Sequence, residues 1–213
     1  IANKTINIFT CVDILTPLER VHFILKQLDS AWIITEENKD FTQQGYSLYK
    51  TLININTDRH INIWHKENAK IYKKEISHIY FSSGSTGIPK GIMLPAQPVV
   101  EVTLEQAKIV GMNQNGKFAW LLSPSFDASL SDIYLTLFFG GTLYIANFLQ
   151  SKIKTLQEFL LVNNITHTDI SPSVLGLINF TQLSFLKHIV FGGEIGNEIV
   201  IKKLVNQSKI NMY

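Results

Sequence analysis

From Ser77 onward, short apolar runs alternate with stretches in which apolar positions recur every three or four residues. The short runs are His78 to Phe81, Phe118 to Leu122, Thr142 to Ala146, Thr166 to Ile170, His188 to Phe191 and Ile210 to Tyr213. Each has strand length, and near-continuous apolar runs are what strands buried on both faces require. Between them the helical period predicts helices at roughly Val99 to Val110, Leu130 to Phe139, Ile153 to Asn163, Ser173 to Ile178 and Asn197 to Asn206. Strand alternating with helix predicts an α/β fold, a mostly parallel sheet flanked by helices on both faces. Gly140-Gly141 and Gly192-Gly193 punctuate the pattern where an element must end. Ligands of such sheets bind beyond the carboxyl ends of the strands, so chemistry is expected in the loops that follow them.

Earlier in the chain, Pro17 opens a helical pattern running through Leu25, and Ala31 to Thr35 reads as a strand. Glu36 to Lys74 is polar and rich in Asn and Lys, and reads as a variable surface segment without nameable chemistry. No internal repeat is visible.

Composition narrows the classes of function. A chain of 213 residues with 46% hydrophobic and 17% charged content can bury one sizeable core. Lys and Arg total 19 against 17 Asp and Glu, a net charge of +2, which leaves no electrostatic footprint for nucleic acid or an anionic membrane. Small-molecule chemistry is the expectation. Cys11 is the single cysteine, so no internal disulfide can form, and it reads as a small buried hydrophobe. The six histidines lack metal-ligand spacing, and no protein metal site is expected. No apolar run reaches membrane-span length, and Ile1 to Thr10 lack the basic-then-apolar order of a signal peptide, which predicts a cytoplasmic protein. The chain opens without an initiator Met, as a piece of a longer protein would.

The densest candidate chemistry is Phe81-Ser82-Ser83-Gly84-Ser85-Thr86-Gly87-Ile88-Pro89-Lys90-Gly91, a loop after the apolar run Ile76 to Phe81. Its glycines free the backbone to approach an anion, its hydroxyls are donors, and Lys90 adds a positive charge. A Walker loop is excluded, because counting from Gly84 puts Pro89, which has no N–H, where the second glycine belongs. A plain Gly/Ser turn is the alternative. The spelling resembles the phosphate-loop signature of the adenylate-forming (AMP-binding) superfamily, which includes acyl-CoA synthetases, luciferases and the adenylation domains of nonribosomal peptide synthetases. That signature runs Thr-Ser-Gly-Ser/Thr-Thr-Gly-x-Pro-Lys-Gly, and Ser82 replaces the usual first threonine while keeping the hydroxyl. Phe9 to Val21 also resembles an adenylation-domain segment, with Cys11 and Leu15 standing where two prolines usually fall.

Ser123-Pro124-Ser125-Phe126-Asp127-Ala128-Ser129-Leu130 sets one acid between a strand and a helix. Read from the residues alone, Asp127 or Ser129 caps that helix or Asp127 meets a ligand, and the two readings weigh evenly. The stretch resembles the Phe-Asp-x-Ser of amino-acid-activating members, in which the aspartate pairs with the substrate's α-ammonium. The resemblance makes Asp127 the amine anchor, an interaction that rejects carboxylic acids lacking the amine. Phe191-Gly192-Gly193-Glu194 is either a strand-to-helix turn or a backbone surface open to a flat ring. Its resemblance to the family's Gly-Gly-Glu, and that of Asn211-Met212-Tyr213 to the family's Asn-x-Tyr, imply an adenine site of Gly192, Gly193, Glu194, Asn211 and Tyr213, with Tyr213 stacked on the base. The family continues with Gly-Pro-Thr-Glu, which is not in this chain.

Residue by residue, the resemblance also implies a side-chain pocket of Ala128, Ser131, Asp169, Val190, Gly192 and Met212. A second acid in an otherwise small, apolar pocket asks for a cationic partner, so Asp169 points to a basic amino acid such as arginine, ornithine or lysine. Asp169 as a cap or a solvent-facing residue is the alternative. Where relatives carry a Glu-His or Thr-His pair after the phosphate loop, this chain has Pro95-Ala96-Gln97-Pro98, which puts carboxylate positioning in question.

The resemblance therefore implies the central part of an incomplete adenylation large domain. Residues 1–75 would form a leading segment with a variable region, residues 76–213 the phosphate-loop and substrate-pocket part, and the small C-terminal domain with its catalytic lysine is absent. No catalytic residue is expected within the chain. The implied reaction is activation of an amino acid by ATP and Mg2+ to an aminoacyl adenylate. A peptidyl carrier protein's phosphopantetheine would then receive it, alongside other synthetase domains. Ser82, Ser83, Gly84, Ser85, Thr86, Gly87 and Lys90 would hold the phosphates. A D-alanine:carrier-protein ligase, with which Ser131-Asp132-Ile133-Tyr134 is compatible, and a truncated homologue that at most binds nucleotide are the alternatives.

Overall fold

The computed structural model describes residues 8–213 except 14, 30–31, 36–39, 55–58, 68–74, 83–87, 147–152, 199–200 and 203–209. The chain divides into two compact units, Ile1–Pro95 and Ala96–Tyr213. The sequence motifs suggest a division at residue 75; the packing places the hairpin around the phosphate loop in the first unit.

In the first unit, α1 (Leu18–Leu28) begins after Pro17 and ends where Asp29 adopts a left-handed conformation (φ 47°), its N–H donating to Leu25 O at 2.9 Å. Val21, Ile24, Leu25 and Leu28 lie on one stripe of that helix. Ile24 and Leu28 pack with Ile79, and Val21 and Leu25 pack against Phe41, Tyr46 and Trp64. β1 (Trp32–Thr35), β2 (Ser47–Asn54) and β3 (Arg59–His65) form an antiparallel sheet in the order β1-β3-β2. The segment read as variable surface therefore contains two strands and contributes core: Phe41, Tyr46 and Trp64 are buried. β4 (Ile76–Ser82) pairs antiparallel with β5 (Lys90–Pro95), a strand the sequence pattern did not announce. Gly91 sits opposite Phe81, and a Cβ there would meet Ile79 and the Phe81 ring at 3.4 Å.

The second unit carries the predicted parallel sheet. It contains β6 (Lys117–Trp120), β7 (Thr142–Ile145), β8 (His167–Asp169), β9 (His188–Val190) and β10 (Asn211–Met212), ordered β10-β9-β8-β6-β7. Its helices are α2 (Ala96–Val110), α3 (Asp127–Phe138), α4 (Ile153–Val162) and α5 (Pro172–Leu175). Successive strand residues point to opposite faces. Phe118 packs with Ala107 and Val110 of α2 and Leu135 of α3, whereas Ala119 packs with Leu160 of α4 and Leu175 of α5. Both faces are thus covered by helices, as the apolar strands required.

Three helix limits differ from the sequence expectation by three residues, two of them for visible reasons. α2 begins at Ala96 rather than Val99, because Pro98 falls in the first turn, where its missing N–H has no helical partner to lose. α3 begins at Asp127, three residues ahead of Leu130. α5 stops at Leu175, short of Ile178, because Gly176 and Leu177 tighten into a turn with Leu177 N–H donating to Val174 O at 3.0 Å. Of the helix expected over Asn197 to Asn206, the described residues Glu198, Ile201 and Lys202 are helical.

Candidate functional site

The strand order reverses between β6 and β8. The chain leaves β6 through α3 to reach β7 on one side, then returns through α4 to β8 on the other side. α3 and α5, which follow β6 and β8, lie on opposite faces of the sheet. Their connecting loops therefore part, and a crevice beyond the carboxyl ends of β6 and β8 is where a sheet of this class binds ligand. Asp127 follows one of these strands and Asp169 ends the other.

Asp127 is the first residue of α3 and is exposed, and its Oδ1 accepts the Ala128 N–H at 2.9 Å. The cap position is Phe126, which makes no side-chain cap bond, so neither Asp127 nor the buried Ser129 caps α3. The Ala128 bond occupies one acceptor position of a carboxylate that has several, and the helix's N-terminal end favours the negative charge. Ala128 is exposed and Ser131 half-buried on the next turn.

Asp169 is half-buried, and burial raises its carboxyl to about 6. It pairs in register with Val190, which packs at the edge of the Phe118 cluster. An acid whose pKa rises on folding stabilises the fold while protonated. Asp169 therefore contributes fully below about pH 4, and the contribution is lost as pH rises through about 6. Asp169→Asn should accordingly raise stability at pH 7.5 by about 1–2 kcal/mol, allowing for solvent screening, and change it little at pH 4. Thermal unfolding at the two pH values checks this. His78 and His167, both pushed down to about 4 chiefly by burial, act oppositely: their contribution is present above pH 6.5 and lost as pH falls through about 4.

The Gly192-Gly193-Glu194 turn follows β9. Gly193 has φ 83°, which favours glycine, and no described atom lies within 4 Å of where a Cβ on Gly192 would stand. Glu194 Oε1 accepts the Ser173 N–H at 2.8 Å, tying this turn to the start of α5, and hydrogen bonds from Ser173 lower its pKa. Asn211 and Met212 form β10, and Asn211 N–H donates to Lys187 O at 2.8 Å. Met212 packs at the edge of the Ala119 cluster. The Tyr213 ring lies parallel to His188 (6.0 Å between centroids, 11°), with Oη 3.1 Å from His188 Nδ1, while its carbonyl accepts the Phe191 N–H at 3.1 Å. The tyrosine expected on a base thus has an imidazole neighbour in this structure.

In the first unit, Ser82 and Lys90 face each other across β4 and β5, both exposed, at the two ends of the phosphate loop. Ser83, Gly84, Ser85, Thr86 and Gly87 lie outside the described residues. A hydroxyl and an ammonium with no carboxylate between Phe81 and Gly91 form a donor set that suits phosphate oxygens. Among the described residues no group of three His, Cys, Asp or Glu could hold a metal ion. No helix among them is long and apolar enough to cross a membrane. Cys11 is a half-buried free thiol whose pKa burial raises.

Sequence reasoning named Asp132 only within the stretch compatible with a D-alanine ligase and did not expect its burial. It is only 3% exposed on α3, its Oδ2 has no hydrogen-bond partner among the described residues, and burial followed by the Asp169 charge raises its pKa well above the usual range. The available signal was Ser129, Asp132 and Thr136, polar residues at helical spacing that are all buried.

A family model described as AMP-binding enzyme matches residues 7–213. Nonribosomal peptide synthetase inpB of Emericella nidulans is 35% identical over 125 residues, 59% of this chain and 5% of that protein. Surfactin synthase subunit 1 of Bacillus subtilis is 30% identical over 205 residues, 91% of this chain and 5% of that protein. Among solved structures, the Klebsiella oxytoca NpsA N-terminal subdomain in complex with 3-hydroxybenzoyl-AMSN superposes with a TM-score of 0.59 at 21% identity, covering 70% of this chain and 38% of that one. The chain thus spans a small part of the curated relatives it matches and well under half of this structural neighbour.

Proposed function

The chain belongs to the AMP-binding enzyme family, and on that premise we propose that it is the part of an amino acid adenylation domain that binds the phosphates of ATP and selects the amino acid. The observation that carries this reading is the chain reversal between β6 and β8, with one acid following β6 and another ending β8. A carboxylate is what an amino acid's ammonium requires, and a fatty acid offers nothing to pair with it. The synthetase names of the relatives support amino acids over other carboxylic acids.

In the proposed reaction the substrate carboxylate attacks the α-phosphorus of ATP, forming a carboxyl–phosphate bond as the bond to pyrophosphate breaks. Asp127 holds the α-ammonium. Ala128, Ser131, Asp169, Val190, Gly192 and Met212 line the side chain, and the acid at Asp169 makes that side chain a basic one. The open backbone at Gly192 and Gly193, with Glu194, Asn211 and Tyr213, receives the adenine. Ser82, Ser83, Gly84, Ser85, Thr86, Gly87 and Lys90 gather the β- and γ-phosphates and offset the charge of the leaving group. Magnesium, bound largely by phosphate oxygens, would neutralise that charge further. The adenylate then passes to the phosphopantetheine thiol of a carrier protein.

The test is pyrophosphate exchange into ATP by the whole protein, screened over basic, neutral and D-amino acids and their des-amino analogues. Exchange with a basic amino acid and none with its des-amino analogue supports the reading. Exchange with D-alanine alone would instead mark the D-alanine ligase. Lys90→Ala should slow the exchange by about tenfold or more through loss of a charge at the phosphates, read as a fall in kcat/KM for ATP.

A further inference from the structure

The Gly192-Gly193 turn, assigned above to the adenine, has little beside it. No described atom lies within 4 Å of where a Cβ on either glycine would stand, and Gly193 holds a left-handed φ of 83°. Up to Phe191 the chain is fixed by the sheet. Val190 O accepts the Ile170 N–H at 3.0 Å, and the Phe191 N–H donates to Tyr213 O at 3.1 Å. Beyond the glycines the tie is a side chain: Glu194 Oε1 accepts the Ser173 N–H at 2.8 Å.

That bond completes the first turn of α5. Pro172 has no N–H, and the Val174 and Leu175 N–H groups donate to Ser171 O at 2.9 and 3.3 Å. Ser171, at the cap position, makes no side-chain cap bond. The Ser173 N–H is thus the donor left over at this helix start, and its acceptor comes from the loop after β9. Hydrogen bonds from Ser173, and a smaller one from Ser171, lower the Glu194 pKa, so the carboxylate is charged at neutral pH. The chain just after Glu194 also lies against this start, since a Cβ on Gly196 would stand 3.5 Å from Pro172 Cβ. α5 is a firm anchor, because Leu175 is fully buried in the Ala119 cluster. The loop from Asp169 to Ser173 is therefore held to the end of β9 twice, by Ile170 on Val190 and by Ser173 on Glu194.

A pair of glycines is the loosest backbone a binding surface can have, and ordering it when the ligand arrives costs affinity. A tie made beforehand removes that cost. We infer that Glu194 is a positioning residue for the nucleotide: its carboxylate fixes the Gly192-Gly193 turn to the start of α5, and the base meets the turn's backbone rather than the carboxylate. This rests on the nucleotide-binding part of the reading above, and adds to it the group that holds the adenine surface in shape.

The test is the Kd of ATP and of inorganic tripolyphosphate, which lacks the base, measured by calorimetry on the whole protein with Mg2+ and no amino acid. Glu194→Ala should weaken ATP by about fivefold or more, whereas Glu194→Gln, which keeps an oxygen to accept the Ser173 N–H, should weaken it by less than about twofold. Tripolyphosphate should bind all three proteins alike, and both variants should melt within about 2 °C of the wild type. Glutamine as damaging as alanine would show that the charge itself acts on the ligand, and would overturn the inference. ATP affinity unchanged in E194A would overturn it, as would an equal loss of ATP and tripolyphosphate, the mark of a general structural defect. Failure of the wild-type protein to bind ATP would instead fell the adenylation reading, and is distinguishable because no wild-type Kd then exists.

Discussion

Replacing Asp127 by asparagine should lower kcat/KM for the amino acid by about a hundredfold while leaving the melting temperature within about 2 °C. Asp127 is exposed at the first position of α3, and its described hydrogen bond is to the neighbouring Ala128 N–H. Asparagine keeps an oxygen to accept that bond, so the helix start survives the change. The lost quantity is the charge facing an ammonium, and hydrogen bonds to charged groups contribute roughly 1.5–3 kcal/mol. The loss should fall on the amino acid and spare KM for ATP. A loss of stability without this substrate effect would leave Asp127 a residue of the helix start alone.

Phe118→Ala should destabilise the second unit by about 3–5 kcal/mol, lowering its melting temperature by on the order of 10 °C. Phe118 is 1% exposed on the central strand β6, packed among Ala107, Val110, Met112 and Leu135, with the His167 ring nearly parallel at 6.4 Å. Alanine would leave a cavity between the sheet and α2 and α3 that rigid neighbours cannot close. Val162→Ser, at a position of α4 that is 79% exposed, is the control and should change stability by less than about 0.5 kcal/mol. Calorimetry of the two variants separates burial from general intolerance to substitution.

The parallel sheet was legible because its strands are buried on both sides. Phe118 and Ala119 serve opposite faces, so both must be apolar, and the run stands out. β3 was illegible for the converse reason. Its buried side is carried by Asn62 and Trp64 while Ile63 is only half-buried, so alternation of apolar and polar residues misreports which side faces inward. Asp132 was hidden by the same logic, since an acid is read as an outward position unless its spacing from Ser129 and Thr136 is weighed. Asp127 and Asp169 were singled out through motif spelling, whereas their placement at the ends of the β6–β8 reversal is a property of topology that no local pattern contains. The motif of Tyr213 implies a stacking role, and spelling could not show that the fold sets its ring parallel to His188.

The central claim is attack of an amino acid carboxylate on the α-phosphorus of ATP. Its most direct measurement uses the whole protein, ATP and an amino acid labelled with 18O in its carboxylate, with the AMP released on turnover analysed by mass spectrometry. The account predicts one 18O atom in the AMP, carried over when the adenylate's acyl bond is cleaved. Unlabelled AMP, or label appearing in inorganic phosphate with ADP as the other product, would contradict it.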